Sequence, residues 1–318
     1  MLTGPELEDA LARVLGAERV ESLRRLSGGA SRETWSFDAV RHDGGSEALI
    51  LRCDTRRGAG IGEPVTERLL FEAAAKAGVP VPRVVAGSED DGALGAPFLV
   101  TERVEGETIP RKILRDDAFV AARPRLAAQC GQALARVHEI PPDAVPGLTD
   151  EDQVGQFRSI LDAMGQPHPA FELAFRWLSS NRPATTRRTV VHGDFRNGNL
   201  IVGPNGLRAV LDWELAHLGD PMEDLGWLCV KAWRFGVDRP VGGFGEREDL
   251  FAAYAEASGT PVDAEVVRWW EVLGTLKWGV MCIAQAFTHL SGTSRSVELA
   301  AIGRRVCENE WDLLELLT

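Results

Sequence analysis

The sequence predicts an α+β fold of two lobes, a small strand-rich lobe followed by a larger and mostly helical one. Three short runs in its first third combine apolar and β-branched residues, which is typical of strands: residues 34–37, 48–52 and 98–102. From about residue 107 onwards, long alanine- and leucine-rich segments broken by prolines predict helices. We therefore expect the first lobe to comprise residues 1–104 and the second residues 105–318.

The other elements have local signals of their own. Apolar residues with helical spacing near the N-terminus predict a first helix, which we place over residues 5–25. Residues 41–45 predict a hairpin turn between the first two strands. Pro64 suits the first turn of a helix and Gly78 its C-terminal cap, so they predict a second helix. In the second lobe, a strand-rich island at residues 189–212 interrupts the helices.

Composition and charge argue against several classes of function. The chain of 318 residues has a formal net charge of −12, whereas general nucleic-acid binding needs a basic surface. Its five cysteines include no CxxC pair, which predicts reduced thiols in a cytoplasmic protein. No basic-then-apolar leader opens the sequence, and no apolar run approaches the roughly 20 residues that span a bilayer. We therefore expect no nucleic acid and no membrane as a partner.

The strand-rich island contains a second hairpin signal. Asn205-Gly206 is a strong signal for a two-residue hairpin turn. With these two residues as the loop, Asn199 lies directly opposite Asp212, and opposed side chains have Cβ atoms about 4.5–5.5 Å apart. An amide oxygen and a carboxylate at this separation can bind one Mg²⁺ ion. The hairpin therefore predicts a metal site formed by Asn199 and Asp212.

A third polar residue, Asp194, lies five positions before Asn199 in a loop flanked by glycine. Such a loop can direct a carboxylate into a cleft beside the metal pair. Phosphoryl transfer requires a metal ion that neutralises charge and a base that orients the acceptor hydroxyl. Each of the three residues alone also suits a turn, a cap or a surface position. Their combination with the hairpin favours the catalytic interpretation.

This region resembles the aminoglycoside phosphotransferase and choline kinase-like family of the protein-kinase-like superfamily, on the motifs His192-Gly193-Asp194-x4-Asn199, Asp212-Trp213-Glu214 and Gly219-Asp220-Pro221-x2-Asp224-Leu225. The resemblance implies a bilobal protein-kinase-like fold, with a small antiparallel sheet and a helix in the N-lobe and a catalytic β-hairpin in the C-lobe. It implies ATP and Mg²⁺ as cofactors. It also implies that Asp194 is the catalytic aspartate, and that Asn199 and Asp212 bind Mg²⁺.

The resemblance extends to the first lobe. Arg52 stands where kinase-like folds usually carry a lysine on the phosphates, and arginine can bind phosphate through two parallel hydrogen bonds. Glu67 on the following helix matches the acid that pairs with this cation, with Glu63 and Glu72 as alternatives. Five small residues take the place of the loop that covers the nucleotide phosphates: Ser27, Gly28, Gly29, Ala30 and Ser31.

Three further residues receive cofactor or catalytic roles from the same resemblance. The backbone of Glu102 and Val104 lies where the lobes join, and we expect it to bind adenine. Arg196 follows the catalytic aspartate by two positions, near the place of the γ-phosphate, and we include it among the catalytic residues.

Other polar and aromatic residues have supporting interpretations. Asp220 and Asp224 are expected to hold the catalytic and metal loops from the next helix. His192 and His138 are interpreted as structural residues that pack and form hydrogen bonds, because Asp194 already serves as the base. Five tryptophans in helical segments are interpreted as core: Trp227, Trp233, Trp269, Trp270 and Trp278.

Together these features predict an ATP-dependent phosphotransferase that moves a γ-phosphoryl group to a hydroxyl of a small molecule. One alternative is a nucleotide-binding regulatory protein without turnover, which the departure from lysine at Arg52 favours. The acceptor also stays open between an amino sugar antibiotic and a metabolite such as a hydroxyacyl-CoA or an amino alcohol. Acidic walls in the second lobe would favour a polyamine sugar, and basic or apolar walls an acyl thioester.

Overall fold

The first lobe is built on an antiparallel sheet. The computed structural model describes residues 4–26, 33–53, 64–90, 92–184 and 187–318. The strands of the sheet are β1 (Arg19–Arg25), β2 (Glu33–Val40), β3 (Ser46–Cys53), β4 (Val84–Ser88) and β5 (Phe98–Glu102). They lie in the order β1-β2-β3-β5-β4, and all neighbouring strands are antiparallel. The three strands predicted from the sequence are confirmed as β2, β3 and β5.

The first helix, α1 (Pro5–Leu15), is shorter than predicted. The expectation of a helix over residues 5–25 is wrong beyond Leu15, because Gly16 adopts a left-handed conformation (φ 58°) that ends the helix. The chain then forms β1, an edge strand whose residues are mostly exposed. Since β1 has no clear alternation of apolar residues, its sequence gives no strand signal.

The second helix, α2 (Pro64–Lys76), confirms the prediction, and Gly78 follows it in a left-handed conformation (φ 79°). The predicted turn after β2 is confirmed too, because the Arg41 amide donates to the Gly45 carbonyl (2.7 Å). The edge strand β4 was not predicted. Its short and partly exposed run gives no periodic pattern.

The second lobe is mostly helical, as predicted. Its helices are α3 (Pro110–Arg115), α4 (Arg123–Val137), α5 (Gln153–Met164), α6 (Pro169–Ser180), α7 (Met222–Cys229), α8 (Arg247–Ser258), α9 (Ala264–Leu290), α10 (Val297–Gly303) and α11 (Val306–Leu317). Helix α9 packs against α5, α6, α7, α10 and α11, and α4 packs against α8. In the described parts of the chain, no helix has the length and apolar character needed to cross a bilayer.

One hydrophobic cluster continues from the first lobe into the second. It includes Phe71 of α2, Leu99 of β5, and Trp213 and Leu225 of the second lobe. The rings of Phe71 and Trp213 lie 6.4 Å apart. The predicted bilobal α+β class is therefore confirmed, with a shared core behind the cleft between the lobes.

The strand-rich island, together with a short strand that follows it, forms two small two-stranded sheets. One pairs β6 (Thr189–Val191) with β9 (His217–Gly219), and the other pairs β7 (Leu200–Gly203) with β8 (Gly206–Val210). In the β7–β8 hairpin the loop consists of Pro204-Asn205. The prediction of an Asn205-Gly206 loop is therefore wrong by one position.

A bulge in the same hairpin moves the register further. The pairing shifts between Ile201 and Val202, and at the open end Asn199 lies across from Leu211. The Leu211 amide donates to the Asn199 carbonyl (2.8 Å). The prediction that Asn199 faces Asp212 directly across the hairpin is consequently wrong. Asp212 lies one residue beyond that position.

Candidate active site

The loop between β6 and β7, residues 192–199, is fixed by hydrogen bonds to a buried carboxylate. Asp224 of α7 accepts hydrogen bonds from the backbone amides of His192 (2.7 Å) and Gly193 (2.9 Å). Gly193 is left-handed (φ 74°), and a Cβ atom there would lie 2.2 Å from the Leu215 carbonyl oxygen. Only glycine fits, so this end of the 192–199 loop has one backbone conformation.

Asp224 is fully buried, yet its charge is stabilised by hydrogen bonds. His138 at the end of α4 contacts its carboxylate through Nε2 (3.1 Å) and the Tyr254 hydroxyl through Nδ1 (2.9 Å). Burial alone would raise the pKa of Asp224, but the hydrogen bond and charge of His138 and the bonds from the loop lower it. The expected supporting roles of Asp224 and His138 are confirmed. Asp220 accepts from the Met222 amide (2.9 Å) at the start of α7.

His192 is a neutral structural residue, as the sequence predicted. Its Nε2 donates to the Leu211 carbonyl (3.0 Å), and its Nδ1 accepts from the Asp194 amide (3.2 Å). Burial lowers the pKa of His192 in spite of the neighbouring carboxylates. Because both ring nitrogens are engaged, the imidazole connects the 192–199 loop to the end of β8 and does not serve as a base.

The Asp194 carboxylate receives three hydrogen bonds. Its Oδ1 accepts from Arg196 Nε (3.0 Å) and from Trp227 Nε1 (2.9 Å), and its Oδ2 accepts from Asn199 Nδ2 (2.6 Å). Three residues that the sequence singled out therefore come together, with Asp194 at the centre. Trp227 is buried, as its interpretation as core requires, but its contact with Asp194 was missed. A helical tryptophan gives no sequence signal for such a contact.

Arg52 of β3 connects the two lobes at this site. Its guanidinium forms an ion pair with the buried Glu67 of α2, and its other terminal nitrogen lies 3.3 Å from Asp212 Oδ1. Burial opposes the charge of Arg52, but the carboxylates of Glu67, Asp212 and Glu214 raise its pKa. Arginine can therefore bridge a carboxylate from each lobe while it remains charged.

One of the two alternative partners of Arg52, Glu72, has a different partner in the structure. Glu72 pairs with Arg68 on the exposed side of α2 (3.3 Å). Glu63 lies outside the described residues. Of the acids in the described part of α2, Glu67 is thus the one that contacts Arg52.

Asn199 and Asp212 have the chemistry of magnesium ligands, although they are not opposed in the hairpin. The Asn199 Nδ2 donates to the Asp194 carbonyl (3.0 Å) and carboxylate, so the amide oxygen of Asn199 remains an acceptor. Asp212 is left-handed (φ 64°), a conformation that costs a non-glycine residue about 1–3 kcal/mol. Its side chain is 32% exposed. Amide and carboxylate oxygens suit Mg²⁺, so the two residues fit this ion.

The predicted adenine edge lies at the end of β5. The Glu102 amide donates to the Arg83 carbonyl (2.9 Å), and the Glu102 side chain accepts from the Arg83 amide (3.1 Å). In the ranges that the structure describes, the Val104 amide has no hydrogen-bond partner. The predicted phosphate-covering residues lie outside the described residues: Ser27, Gly28, Gly29, Ala30 and Ser31.

Two cavities border the 192–199 loop. A cavity of about 330 Å³ lies between α5, residues 214–217 and α9. Lys277 of α9 lines it and donates Nζ to the Gly193 carbonyl (3.2 Å). A larger groove of about 1010 Å³, which we call the α3–α11 groove, lies between α3, residues 231–236 and α11. Its wall at Pro110 approaches Gly198 of the loop.

The α3–α11 groove has basic walls. Arg111 and Arg115 of α3 line it, and neither has a carboxylate partner in the described ranges. Two further cations of the groove are paired, Lys231 with Asp312 (2.9 Å) and Arg305 with Glu308 (3.1 Å). The groove therefore has two cationic groups that could bind an anion.

The same groove is also lined by apolar groups. Ile109 is 48% exposed and Trp311 is 63% exposed, so both offer apolar surface in the groove. Phe235 lines the groove in a left-handed conformation (φ 48°), a backbone outlier for a bulky residue. Such outliers occur preferentially at binding sites.

The chain has a bilobal fold in which a fixed loop carries the Asp194 carboxylate beside a basic residue, Arg196. Asn199 and Asp212 add two oxygen atoms of the kind that binds Mg²⁺. This combination defines a kinase-like phosphotransferase. The chain belongs to the phosphotransferase enzyme family, whose pattern it matches over residues 22–270. The phosphotransferase family that the sequence motifs indicated is therefore confirmed.

Two curated relatives illustrate the range of the family. Acyl-CoA dehydrogenase family member 10 of Mus musculus is 33% identical over 179 residues, which make up 51% of this chain and 16% of that protein. Streptomycin 3''-kinase of Streptomyces griseus is 32% identical over 219 residues, which make up 64% of this chain and 75% of the kinase. The chain spans only 16–27% of the acyl-CoA dehydrogenase family members that it matches.

Solved structures share the fold over nearly the whole chain. A thermostable mutant of aminoglycoside phosphotransferase APH(4)-Ia, in complex with AMP-PNP and hygromycin B, has a TM-score of 0.65 at 16% identity and covers 98% of both chains. Spectinomycin phosphotransferase APH(9)-Ia, in complex with ADP and spectinomycin, has a TM-score of 0.67 at 14% identity. It covers 99% of this chain and 98% of its own.

Proposed function

We propose that this enzyme uses ATP and Mg²⁺, and that Asp194 orients the acceptor hydroxyl and accepts its proton. The hydroxyl oxygen attacks the γ-phosphorus while the bond to the β–γ bridging oxygen breaks, and ADP leaves. The observation that carries the proposal is the contact of Asp194 with both Asn199 and Arg196. Both contacts lie in the second lobe, and Arg52 of the first lobe reaches this lobe through its contact with Asp212.

The other candidate residues have roles in holding the nucleotide. Arg52, fixed by Glu67, would bind phosphate oxygens, and Arg196 would approach the γ-phosphate. Asn199 and Asp212 would hold Mg²⁺, which neutralises phosphate charge when bound. The backbone of Glu102 and Val104 would bind adenine, and the phosphates would be covered by Ser27, Gly28, Gly29, Ala30 and Ser31. The nucleotide complexes of APH(4)-Ia and APH(9)-Ia support a nucleotide in this fold.

The first experiment measures ATP consumption with a panel of alcohols as acceptors. We expect acceptor-dependent turnover that falls by about 10²–10⁴-fold in Asp194→Asn, because loss of a positioned general base has effects of this size. The variant retains the shape of the side chain, but its amide nitrogen cannot accept a hydrogen bond or a proton as a carboxylate oxygen does. Nucleotide binding without any acceptor-dependent turnover of the wild type would favour the regulatory alternative.

A second experiment tests the metal ligands. Asp212→Ala should remove most of the Mg²⁺-dependent part of ATP affinity, because the ion would keep one side-chain ligand, Asn199. ATP binding is measured by calorimetry with and without Mg²⁺. Asp238→Ala, at an exposed position, is the matched control and should leave both affinities unchanged. Equal Mg²⁺ dependence in Asp212→Ala and the wild type would contradict the assignment.

The walls of the α3–α11 groove favour a metabolite as the acceptor. We infer that an acyl thioester with a hydroxyl group, such as a hydroxyacyl-CoA, suits the groove better than a polyamine sugar. The guanidinium groups of Arg111 and Arg115, which have no carboxylate partner among the described residues, would bind phosphate. Ile109, Phe235 and Trp311 would contact an apolar chain. The relatives named as acyl-CoA dehydrogenase family members are consistent with this acceptor, whereas the streptomycin kinase represents the alternative.

The acceptor is tested by comparing a hydroxyacyl-CoA with streptomycin at equal concentrations. We expect a higher kcat/KM for the thioester. Replacing Arg111 and Arg115 together by glutamine should raise the KM for the thioester by about tenfold or more, because each arginine–phosphate bond is charge-assisted. Arg176→Gln, at an exposed position of α6, is the control. Preference for streptomycin, or an unchanged KM in the double variant, would exclude the thioester assignment.

We also propose a reducing cytoplasm as the location of the protein and a boundary between two lobes near residue 104. A reducing cytoplasm suits the cysteines, because four of the five are buried, and burial raises the pKa of the Cys229 thiol to about 12. The division into a nucleotide-binding lobe of residues 1–104 and a catalytic lobe of residues 105–318 would be tested by limited proteolysis near Gly106.

A further inference from the structure

We propose that Trp227 is a positioning residue that gives the two oxygens of Asp194 different tasks, so that Oδ2 accepts the proton of the acceptor hydroxyl. The inference depends on the proposed role of Asp194 as the base. It adds the atom that receives the proton and the side chain that selects it. Neither is visible in the sequence motif.

The hydrogen bonds of Asp194 are distributed unequally. Each carboxylate oxygen has two lone pairs. Oδ1 accepts from two donors, Arg196 Nε (3.0 Å) and Trp227 Nε1 (2.9 Å), and both of its lone pairs are therefore engaged. Oδ2 accepts from one donor, Asn199 Nδ2 (2.6 Å). The lone pair that remains for a hydroxyl proton is therefore on Oδ2.

Of the two donors to Oδ1, Trp227 is the permanent one. The Arg196 guanidinium lies 4.6 Å from the Trp233 ring and is 25% exposed, so an incoming phosphate can compete for it. The Trp227 indole is 3% exposed, and its single N–H group can donate only to one acceptor at a time. If Arg196 turned to the γ-phosphate, Trp227 would keep the carboxylate in the same orientation.

Packing fixes the plane of the Trp227 ring. The Trp233 ring lies 5.1 Å away on one side. Gly274 of α9 lies on another side, and a Cβ atom at this glycine would be 3.0 Å from the Trp227 ring. A larger residue at position 274 would therefore require the indole to shift. Helices α7 and α9 pack closely at this point because of that glycine.

Lys277 joins the indole to the loop that carries Asp194. Its Nζ lies 4.7 Å from the centre of the Trp227 ring and donates to the Gly193 carbonyl (3.2 Å), one residue before Asp194. A cation over an indole face attracts the π electrons and strengthens donation by the N–H group. Lys277 is itself buried and lies 3.7 Å from Glu223, which balances its charge.

The test is Trp227→Phe, which removes the N–H group and retains a ring in the same space. We expect kcat to fall by about 10- to 100-fold, the usual effect of one hydrogen bond to a charged group, while the KM for ATP stays within about twofold. Trp270→Phe is the matched control, because the buried Trp270 Nε1 has no partner in the described residues. A kcat for Trp227→Phe equal to that of the control would overturn the proposal.

A double-variant cycle separates positioning from a general effect on folding. If Trp227 acts through Asp194, Trp227→Phe should cause no further loss in the Asp194→Asn background. A loss of the same size in both backgrounds would mean that the indole only supports the fold. Lys277→Met is a poorer test, because it would also remove one of the two basic groups, Lys277 and His217, that lie beside the buried Glu223 carboxylate.

A spectroscopic measurement tests the contact without turnover. In ¹H–¹⁵N spectra, the Trp227 indole resonance, assigned from its absence in Trp227→Phe, should lie downfield and move upfield in Asp194→Asn. The Trp270 resonance should not move. An unchanged Trp227 resonance would overturn this inference, whereas an upfield shift in an enzyme with no acceptor-dependent turnover would reject only the proposed function.

Discussion

The two walls of the cleft are stabilised by different kinds of interaction. On the side of the first lobe, Arg52 is 20% exposed and bridges Glu67 and Asp212 through charges. On the side of the second lobe, Asp224 and His138 have no exposed side-chain surface, and they bind the backbone of the 192–199 loop and each other. One wall therefore includes two partly exposed charges, those of Arg52 and Asp212, whereas the side chains of Asp224 and His138 on the other wall are fully buried.

This difference indicates which wall can adapt to a ligand. Water and phosphate oxygens can replace a carboxylate at a partly exposed arginine, so the Arg52–Asp212 contact can open at little cost. A buried carboxylate with three hydrogen bonds cannot lose one without leaving a polar group unsatisfied. The wall that contains Arg52 is therefore adaptable, and the wall that positions Asp194 is fixed.

The largest expected effect comes from breaking the fixed wall. Asp224→Ala would leave the amides of His192 and Gly193 and the His138 imidazole without their acceptor. We expect the free energy of unfolding to fall by about 3–5 kcal/mol, the usual loss when one partner of a buried charged network is removed. Denaturant unfolding measures it.

The control for this variant is Asp249→Ala, at an exposed position of α8. Its free energy of unfolding should change by no more than about 0.5 kcal/mol. Similar losses in the two variants would show that the buried carboxylate is not what fixes the loop.

A smaller effect is expected from breaking the adaptable wall. Arg52→Ala should raise the KM for ATP by about tenfold or more, because charge-assisted hydrogen bonds to phosphate are lost, and should change the KM for the acceptor less. Arg68→Ala is the matched control, since Arg68 forms an exposed ion pair with Glu72 (3.3 Å). The opposite pattern of KM values would mean that Arg52 binds the acceptor.

The smallest expected effect is a decrease in the free energy of unfolding at acidic pH. The pKa of Asp224 is lower in the folded protein than the value of about 3.9 for an unfolded aspartate, so the unfolded chain binds the proton first. This carboxylate should therefore contribute its full stabilisation above about pH 4, and the contribution should be lost as the pH falls through the lower, folded pKa.

The measurement is the free energy of unfolding at a series of pH values for the wild type and Asp224→Asn. The variant should lose part of the decrease at low pH, because the side chain no longer titrates. Asp249→Asn, which removes one exposed charge, is the control. Parallel curves for the wild type and Asp224→Asn would contradict the assignment of the acid sensitivity to the fixed wall.

Local signals predicted most of the fold, and tertiary contacts explain the exceptions. The Asn205-Gly206 turn signal is strong, yet the loop is Pro204-Asn205. A Cβ atom at Gly206 would lie 2.1 Å from Gln129 Oε1, and the Leu207 amide donates to the same oxygen (2.9 Å). Gln129 of α4 thus shapes the hairpin end, and a reading of residues 199–212 cannot include it.

The prediction of a helix over residues 5–25 was wrong for a different reason. Gly16 can be recognised in the sequence as a C-terminal helix cap. Its amide donates to the Arg13 carbonyl (3.3 Å) where the helix ends. The exposed strand β1 that follows offered no alternation with which to place a strand.

The candidate site was predicted where its chemistry is encoded in adjacent residues. Asp194, Arg196 and Asn199 lie within one loop, and the structure brings them into contact. The pairing of Arg52 with Glu67 is likewise seen in the structure. The sequence did not predict the contacts of Trp227 and Lys277 with the loop, because these contacts depend on how α7 and α9 pack.

The left-handed backbone at Asp212 has a consequence for evolution under heat. Glycine adopts this conformation without the steric penalty of a Cβ atom, which every other residue, aspartate included, carries. A laboratory population selected only for thermal resistance would therefore drift towards glycine at position 212. The selected enzymes would unfold at a higher temperature but would lack the carboxylate. Selection for survival on heating would therefore favour the replacement at position 212, and selection for growth on the product of the enzyme would favour aspartate.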